Sequence, residues 1–177
     1  MIKISRFIHW WNYAPIWKIV LITVIPIILW FVVVFKCSKR RTRNMGFVLF
    51  TCSALAILYI TLFSREKGSE SAAVLIPFSF VYRGLASPTI YRSFWMNVYL
   101  FVPIGLAIGA IKKKNSISIL FALCLSTVIE ITQFGFKLGT LEVDDIIANT
   151  IGCLLGAWMS TLAIKLKCSN KTRDSSR

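Results

Sequence analysis

With 56% apolar residues among 177 and a mean hydropathy of +0.71, the chain is far from the composition of a water-soluble domain, which is close to half apolar and about a quarter charged. A net charge of +14 would point a soluble protein toward nucleic acid, but here the basic residues fall in blocks between apolar spans, as they do in the cytoplasmic loops of membrane proteins. No soluble module remains to carry a nucleic-acid interface. The composition therefore predicts an all-α polytopic membrane bundle, one transmembrane domain over residues 1–165, with its core made by helices packing in the bilayer.

Residues 1–15 are rich in aromatics, Trp10, Trp11 and Tyr13 with Trp17 just beyond, which suits the headgroup level of a bilayer. They carry no signal-peptide cleavage pattern, so the segment is expected to be retained. The first span is expected over about 16–35, kinked at Pro26, and the second over 45–63. Between them, Lys36 to Arg43 holds five basic residues and no acid. A long connection, 64–93, opens with Arg65. Its segment 72–86 begins with an apolar run too short to span, and reads as an interfacial or re-entrant piece lying as a lid against the hairpin of residues 117–160, two apolar spans joined by a short acidic connection. The third span is expected over 94–111, closed by Lys112, Lys113 and Lys114, the fourth over 117–136 and the fifth over 146–164. Residues 166–177 read as a basic disordered tail.

The loops after spans one and three and the tail carry five, three and five basic residues, and these alternate connections share one side. The opposite side holds Lys137 to Asp145, with one base against three acids. The positive-inside bias then places the C-terminus in the cytoplasm and the N-terminus outside a cell membrane, with Lys3, Arg6 and Lys18 pulling the other way.

The chemistry concentrates in spans three to five. A carboxylate inside an apolar segment costs roughly 2.5–3.5 kcal/mol on insertion scales, so Glu130 calls for a partner or a use. At 1.5 Å per residue, Asn97, Glu130, Gln133 and Asn149 all lie within one or two turns of the outer ends of their spans, beside Asp144 and Asp145. Thr127, Glu130, Gln133 and Lys137 share one helical stripe, and Asp145, Asn149, Gly152 or Cys153, Gly156 and Ser160 another. Gly105 and Gly109, and Gly152 and Gly156, are GxxxG pairs that let helices approach closely in lipid. The predicted site is an outward-facing pocket of Arg65, Asn97, Glu130, Gln133, Asp144, Asp145 and Asn149. Structural readings stand beside it: Glu130 as a buried, hydrogen-bonded residue paired with Arg65 or Lys137, the Asp pair as a helix cap, and the asparagines as bridges between helices.

Glu130, Asp144 and Asp145, with Glu142, form a weak oxygen-ligand set for a hard metal, without metal-specific spacing. Cys37, Cys52, Cys124, Cys153 and Cys168 show no paired spacing and His9 is the only histidine, which disfavours zinc and disulfides. Neither a phosphate loop nor a nucleophile elbow is present, and no cofactor is predicted.

Three ordered motifs carry a resemblance: residues 97–105 (NVYLFVPIG), 130–134 (EITQF) and 144–152 (DDIIANTIG), with Arg65 before the long connection and Pro77-Phe78 within it. Together they resemble the VanZ-like family over roughly residues 60–160. The resemblance implies a helical membrane protein of the cell envelope that lowers susceptibility to the lipoglycopeptide teicoplanin. The family pattern carries an Arg between the Gln and the acidic pair, where this chain has only Lys137, so a role needing a guanidinium fork is not supported here. The implied partners are membrane lipid and a lipoglycopeptide, and the leading expectation is a non-enzymatic role. Two alternatives stay open: an enzyme acting on a lipid-linked cell-wall precursor with Glu130 as general acid or base, and a structural membrane partner that needs only the glycine ladders.

Overall fold

The computed structural model describes residues 16–63, 72–112 and 115–174. Helix α1 spans Ile16–Lys36 and includes Pro26. After a two-residue turn, α2 spans Lys39–Leu58 and runs on as a π-helical turn, Tyr59–Phe63. Then follow strand β1 (Ala73–Val74), α3 (Ser79–Ala86), α4 (Pro88–Lys112), α5 (Asn115–Gly135), strand β2 (Leu141–Glu142) and α6 (Val143–Asp174). Four segments, Lys39–Phe63, Pro88–Lys112, Ser116–Gly135 and Val143–Asn170, are long and apolar enough to cross a membrane, and α1 adds a shorter apolar stretch, Val24–Lys36.

Three helices exceed their apolar runs, because helix ends are set by caps and breakers rather than by hydropathy. Helix α2 starts at Lys39, not near 45, because Ser38 caps it: its Oγ accepts from Arg41 N at 3.4 Å. Helix α4 starts at Pro88, and proline at a first helical position loses no hydrogen bond. Helix α6 continues to Asp174, so the tail expected to be disordered from 166 is helical through that residue. No Gly or Pro follows Gly156 to stop it, and Lys165, Lys167, Lys171 and Arg173 suit the negative end of a helix dipole.

The centre of the bundle is the pair α4 and α6, which run parallel. A Cβ added to Gly152 would overlap the carbonyl oxygen of Val98, one on Gly156 that of Val102, one on Gly105 that of Cys153, and one on Gly109 that of Ala157. The two backbones therefore touch directly, which in lipid is the main route to tight helix association. Helix α2 runs antiparallel to α4, with Gly46 against Ala107, Ala110 and Ile111. Its Ile57 packs with Phe101, Ile104, Ile108, Ala122, Ile129 and Cys153 in one apolar cluster. Helix α1 joins the far side of α4 and α6 through Trp30 and Val34, and Trp30 Nε1 donates to Ser160 Oγ at 3.3 Å.

These directions alternate, so the molecule has two chemically different ends. The α1–α2 turn, the end of α4 and the end of α6 meet at a basic end. The ends of α2 and α5, the strands, α3, and the starts of α4 and α6 meet at the other, the hairpin end.

The 72–86 segment lies against the hairpin as expected. Strands β1 and β2 pair in parallel, Ala73 with Leu141 and Val74 with Glu142. Phe80 of α3 stacks on Phe94 at 3.8 Å between centroids, with Tyr91 edge-on to it at 5.8 Å. Leu75, Ile76, Phe78, Val81, Tyr82 and Leu85 remain exposed, an apolar outer face on a segment too short to span.

Replacing Gly152 by alanine is expected to lower stability by about 1–3 kcal/mol, because the methyl group meets backbone that cannot move aside. Gly135 has nothing within 4 Å of its Cβ position, and Gly135→Ala is expected to be neutral or stabilising by up to about 1 kcal/mol. Thermal unfolding of the two variants in one detergent checks both.

Candidate functional site at the hairpin end

Asp144 opens α6, yet its carboxylate serves another helix. Phe78 N donates to Oδ1 at 2.6 Å, while Ser79 Oγ and Phe80 N donate to Oδ2 at 2.8 and 2.7 Å. The first N–H groups of a helix lack intrahelical acceptors, and Phe78, at the cap position of α3 with φ 60° and ψ 20°, has no side chain able to accept. A carboxylate at the positive end of that helix completes the cap from a segment 65 residues away in sequence. Asp144 is only 3% exposed, so little water competes for these bonds.

Glu130, 2% exposed on α5, accepts from Glu142 N at 3.0 Å and so holds β2 in place. The Glu142 side chain pairs with Arg83 of α3 at 3.3 Å, and the same guanidinium nitrogen donates to Ser79 Oγ at 3.3 Å. The ring closes at Ser79 on Asp144. It runs from α5 through β2 and α3 to the start of α6, and couples a buried carboxylate to the position of the outer segment. The Arg83–Glu142 pair itself is partly solvated and worth at most about 1 kcal/mol, so the two buried acids dominate.

The amides fasten the helices below this ring. Gln133 Nε2 donates to Thr61 O at 2.8 Å, taking a carbonyl from the π-helical end of α2. Asn149 Nδ2 donates to Ser126 Oγ at 2.7 Å between α6 and α5. Gln133 Oε1 and Asn149 Oδ1 are buried and have no hydrogen-bond partner among the described residues. Asp145 is buried beside Asp144, whereas Asn97 is half-buried on α4 next to Val98. Arg65 lies outside the described residues.

The stripe on α5 differs from the expected one. Its buried polar residues are Ser118, Ser126, Glu130 and Gln133; Thr127 is exposed. Lys137 has left the helix. Its N–H donates to Phe134 O and that of Leu138 to Gln133 O, a two-bond helix stop that puts Lys137 in the left-handed region at φ 56°. The α6 row of Asp145, Asn149, Gly152, Cys153, Gly156 and Ser160 is buried throughout. The weak metal set does not come together: among the described residues no three His, Cys, Asp or Glu side chains are placed to hold an ion, and both Asp144 oxygens face α3.

Four residues of this network escape sequence reasoning: Thr61, which contributes a backbone carbonyl, and Ser79, Arg83 and Ser126. Ser126 carries a usable signal, one turn before Glu130 on the same face. Ser79 and Arg83 are four apart, a spacing that shows only once 79–86 is known to be helical.

Long apolar helices in alternating directions, with a hydrogen-bonded acidic hairpin at one end, make this a multi-pass helical membrane protein. Its segment 23–164 matches the VanZ/LLP1 family model, and the chain belongs to that family. It is 35% identical over 77 residues to Protein VanZ of Enterococcus faecium, a match covering 42% of this chain and 48% of that protein, so the matched region spans about half the relative's length. No solved structure matches the chain.

Removal of the Asp144 carboxylate should release α3 before it disturbs the bundle. In Asp144→Ala, hydrogen-exchange protection of the 78–86 amides is expected to fall by ten- to a hundredfold, the equivalent of about 1.5–3 kcal/mol for bonds to a charged group, while α4 and α6 amides keep theirs. Equal loss throughout would show that Asp144 supports the whole bundle instead.

Proposed function

We propose that this protein lowers the action of teicoplanin-type lipoglycopeptides at the outer face of the cell membrane, by engaging the drug at the hairpin end rather than by catalysis. Membership of the VanZ/LLP1 family supports the class of function. The observation that carries the reading is a juxtaposition: buried Glu130, Asp144 and Asp145 lie at the end where Leu75, Ile76, Phe78 and Leu85 are exposed. A lipoglycopeptide offers matching chemistry in its acyl chain, which suits the apolar rim. Asp144 and Glu130 act as positioning residues for the rim, through the ring that joins them to α3.

The opposite end carries the basic blocks, and the positive-inside bias turns it toward the cytoplasm. The hairpin then faces outward, with the N-terminus outside and the C-terminus inside. A membrane-impermeant maleimide is expected to label Lys137→Cys in intact cells and to reach the exposed native Cys168 only after permeabilisation. The reverse pattern overturns the orientation.

Glu130→Gln and Asp145→Asn variants, expressed at parental levels, are expected to lose protection against teicoplanin by about tenfold in inhibitory concentration, the equivalent of roughly 1.4 kcal/mol of binding. Protection equal to the parent's overturns the proposal. The enzymatic alternative is separated by comparing lipid-linked precursor pools in cells with and without the protein, where a changed pool would favour catalysis.

A further inference from the structure

The basic end has a built feature that the hairpin reading does not use. Lys167 of α6 donates its ammonium to the carbonyl of Val34 at 2.7 Å and to that of Cys37. It thereby takes up carbonyls at the C-terminal end of α1 and fastens the α1–α2 turn to α6. Immediately after that turn, Lys39, Arg40, Arg41 and Arg43 are all exposed, and Lys112 of α4 and Lys165 of α6 add exposed cations from two further segments. Of the seven acidic residues in the chain, only Asp174 falls in the segments that build this end. The cations border the apolar parts of their helices, Lys112 directly after Ile111 and Arg43 two residues before Met45, which sets them at headgroup depth.

We propose that this surface is a binding site for anionic phospholipid headgroups of the adjoining leaflet, organised by Lys167. The ligand class follows from the chemistry. Exposed guanidinium forks and ammonium groups match phosphodiester oxygens, and each basic side chain near a membrane surface adds to attraction for anionic over zwitterionic lipid. A soluble acidic partner fits less well, since the cations lie along the rim of the apolar bundle instead of on a protruding domain. Lys167 is a positioning residue: its charge is directed at backbone carbonyls, and its effect on lipid is to hold the α2 cluster beside α6.

The test uses the full chain in detergent micelles, titrated with phosphatidylglycerol or with phosphatidylcholine of matched acyl chains, and reads both thermal unfolding and lipid retained in native mass spectrometry. Phosphatidylglycerol is expected to raise the unfolding temperature and stay bound, and phosphatidylcholine to do neither. The triple variant R40Q/R41Q/R43Q is expected to weaken apparent affinity for phosphatidylglycerol by about tenfold or more, and Lys167→Met by a few-fold although the cluster keeps its charges. Lys137→Gln, at the other end, is expected to bind as the parent does. Equal responses to both lipids, full binding by the triple variant, or an equal loss in Lys137→Gln would each overturn the site, the last by reducing it to net charge. Full binding by Lys167→Met in a folded protein would remove the organising role. Because neither readout involves antibiotic, failure here is distinct from failure of the hairpin reading.

Discussion

The backbone contact between α4 and α6 is the constraint on which the rest depends. Lipid offers helices no hydrophobic reason to associate, so their attraction must come from close packing and hydrogen bonds. Four glycines supply the packing, with no side chain between the two helices at Gly105, Gly109, Gly152 and Gly156. Contact at that distance fixes the rotation of α6 about its own axis. Asp145 and Asn149, about two turns and one turn before Gly152 on the same row, are turned inward with the glycines.

That rotation also decides the fate of the acids. With Asn149 on Ser126 and Asp144 beyond it, the start of α6 is presented to α3, and a carboxylate that would ordinarily cap its own helix caps another. Glu130 meets the same assembly from α5 by holding β2. The hairpin end is therefore one hydrogen-bonded unit, in which buried acids set the position of a short outer segment with an apolar face. Gln133 Oε1 and Asn149 Oδ1, without a hydrogen-bond partner among the described residues, lie just beneath it, in a region where burial makes each unmet acceptor costly.

The two ends divide the chemistry of the chain. One gathers acids, amides and an apolar rim; the other gathers cations held in register by Lys167 across α1 and α6. This separation follows from the alternating directions of the helices, which send every second connection to the same side. In the VanZ/LLP1 family frame, it gives the proposed drug-facing surface and the proposed lipid-facing surface independent structural supports, the glycine row for one and the lysine bridge for the other.

Much of this was legible in the residues. Apolar runs of spanning length, the basic blocks between them and the glycine pairs determine a helical membrane bundle and the elements at its centre, because lipid burial and backbone approach depend on residue type at fixed spacing. Glu130, Gln133, Asp144, Asp145 and Asn149 stood out because polar groups in apolar surroundings are costly. Their partners did not stand out. That Asp144 caps α3, that Glu130 holds β2, that Gln133 reaches Thr61 and that Arg83 joins the ring were decided only by tertiary structure. Each is a bond between segments far apart in the chain, to backbone groups every residue possesses, and which of those groups comes within reach is set by how the helices pack.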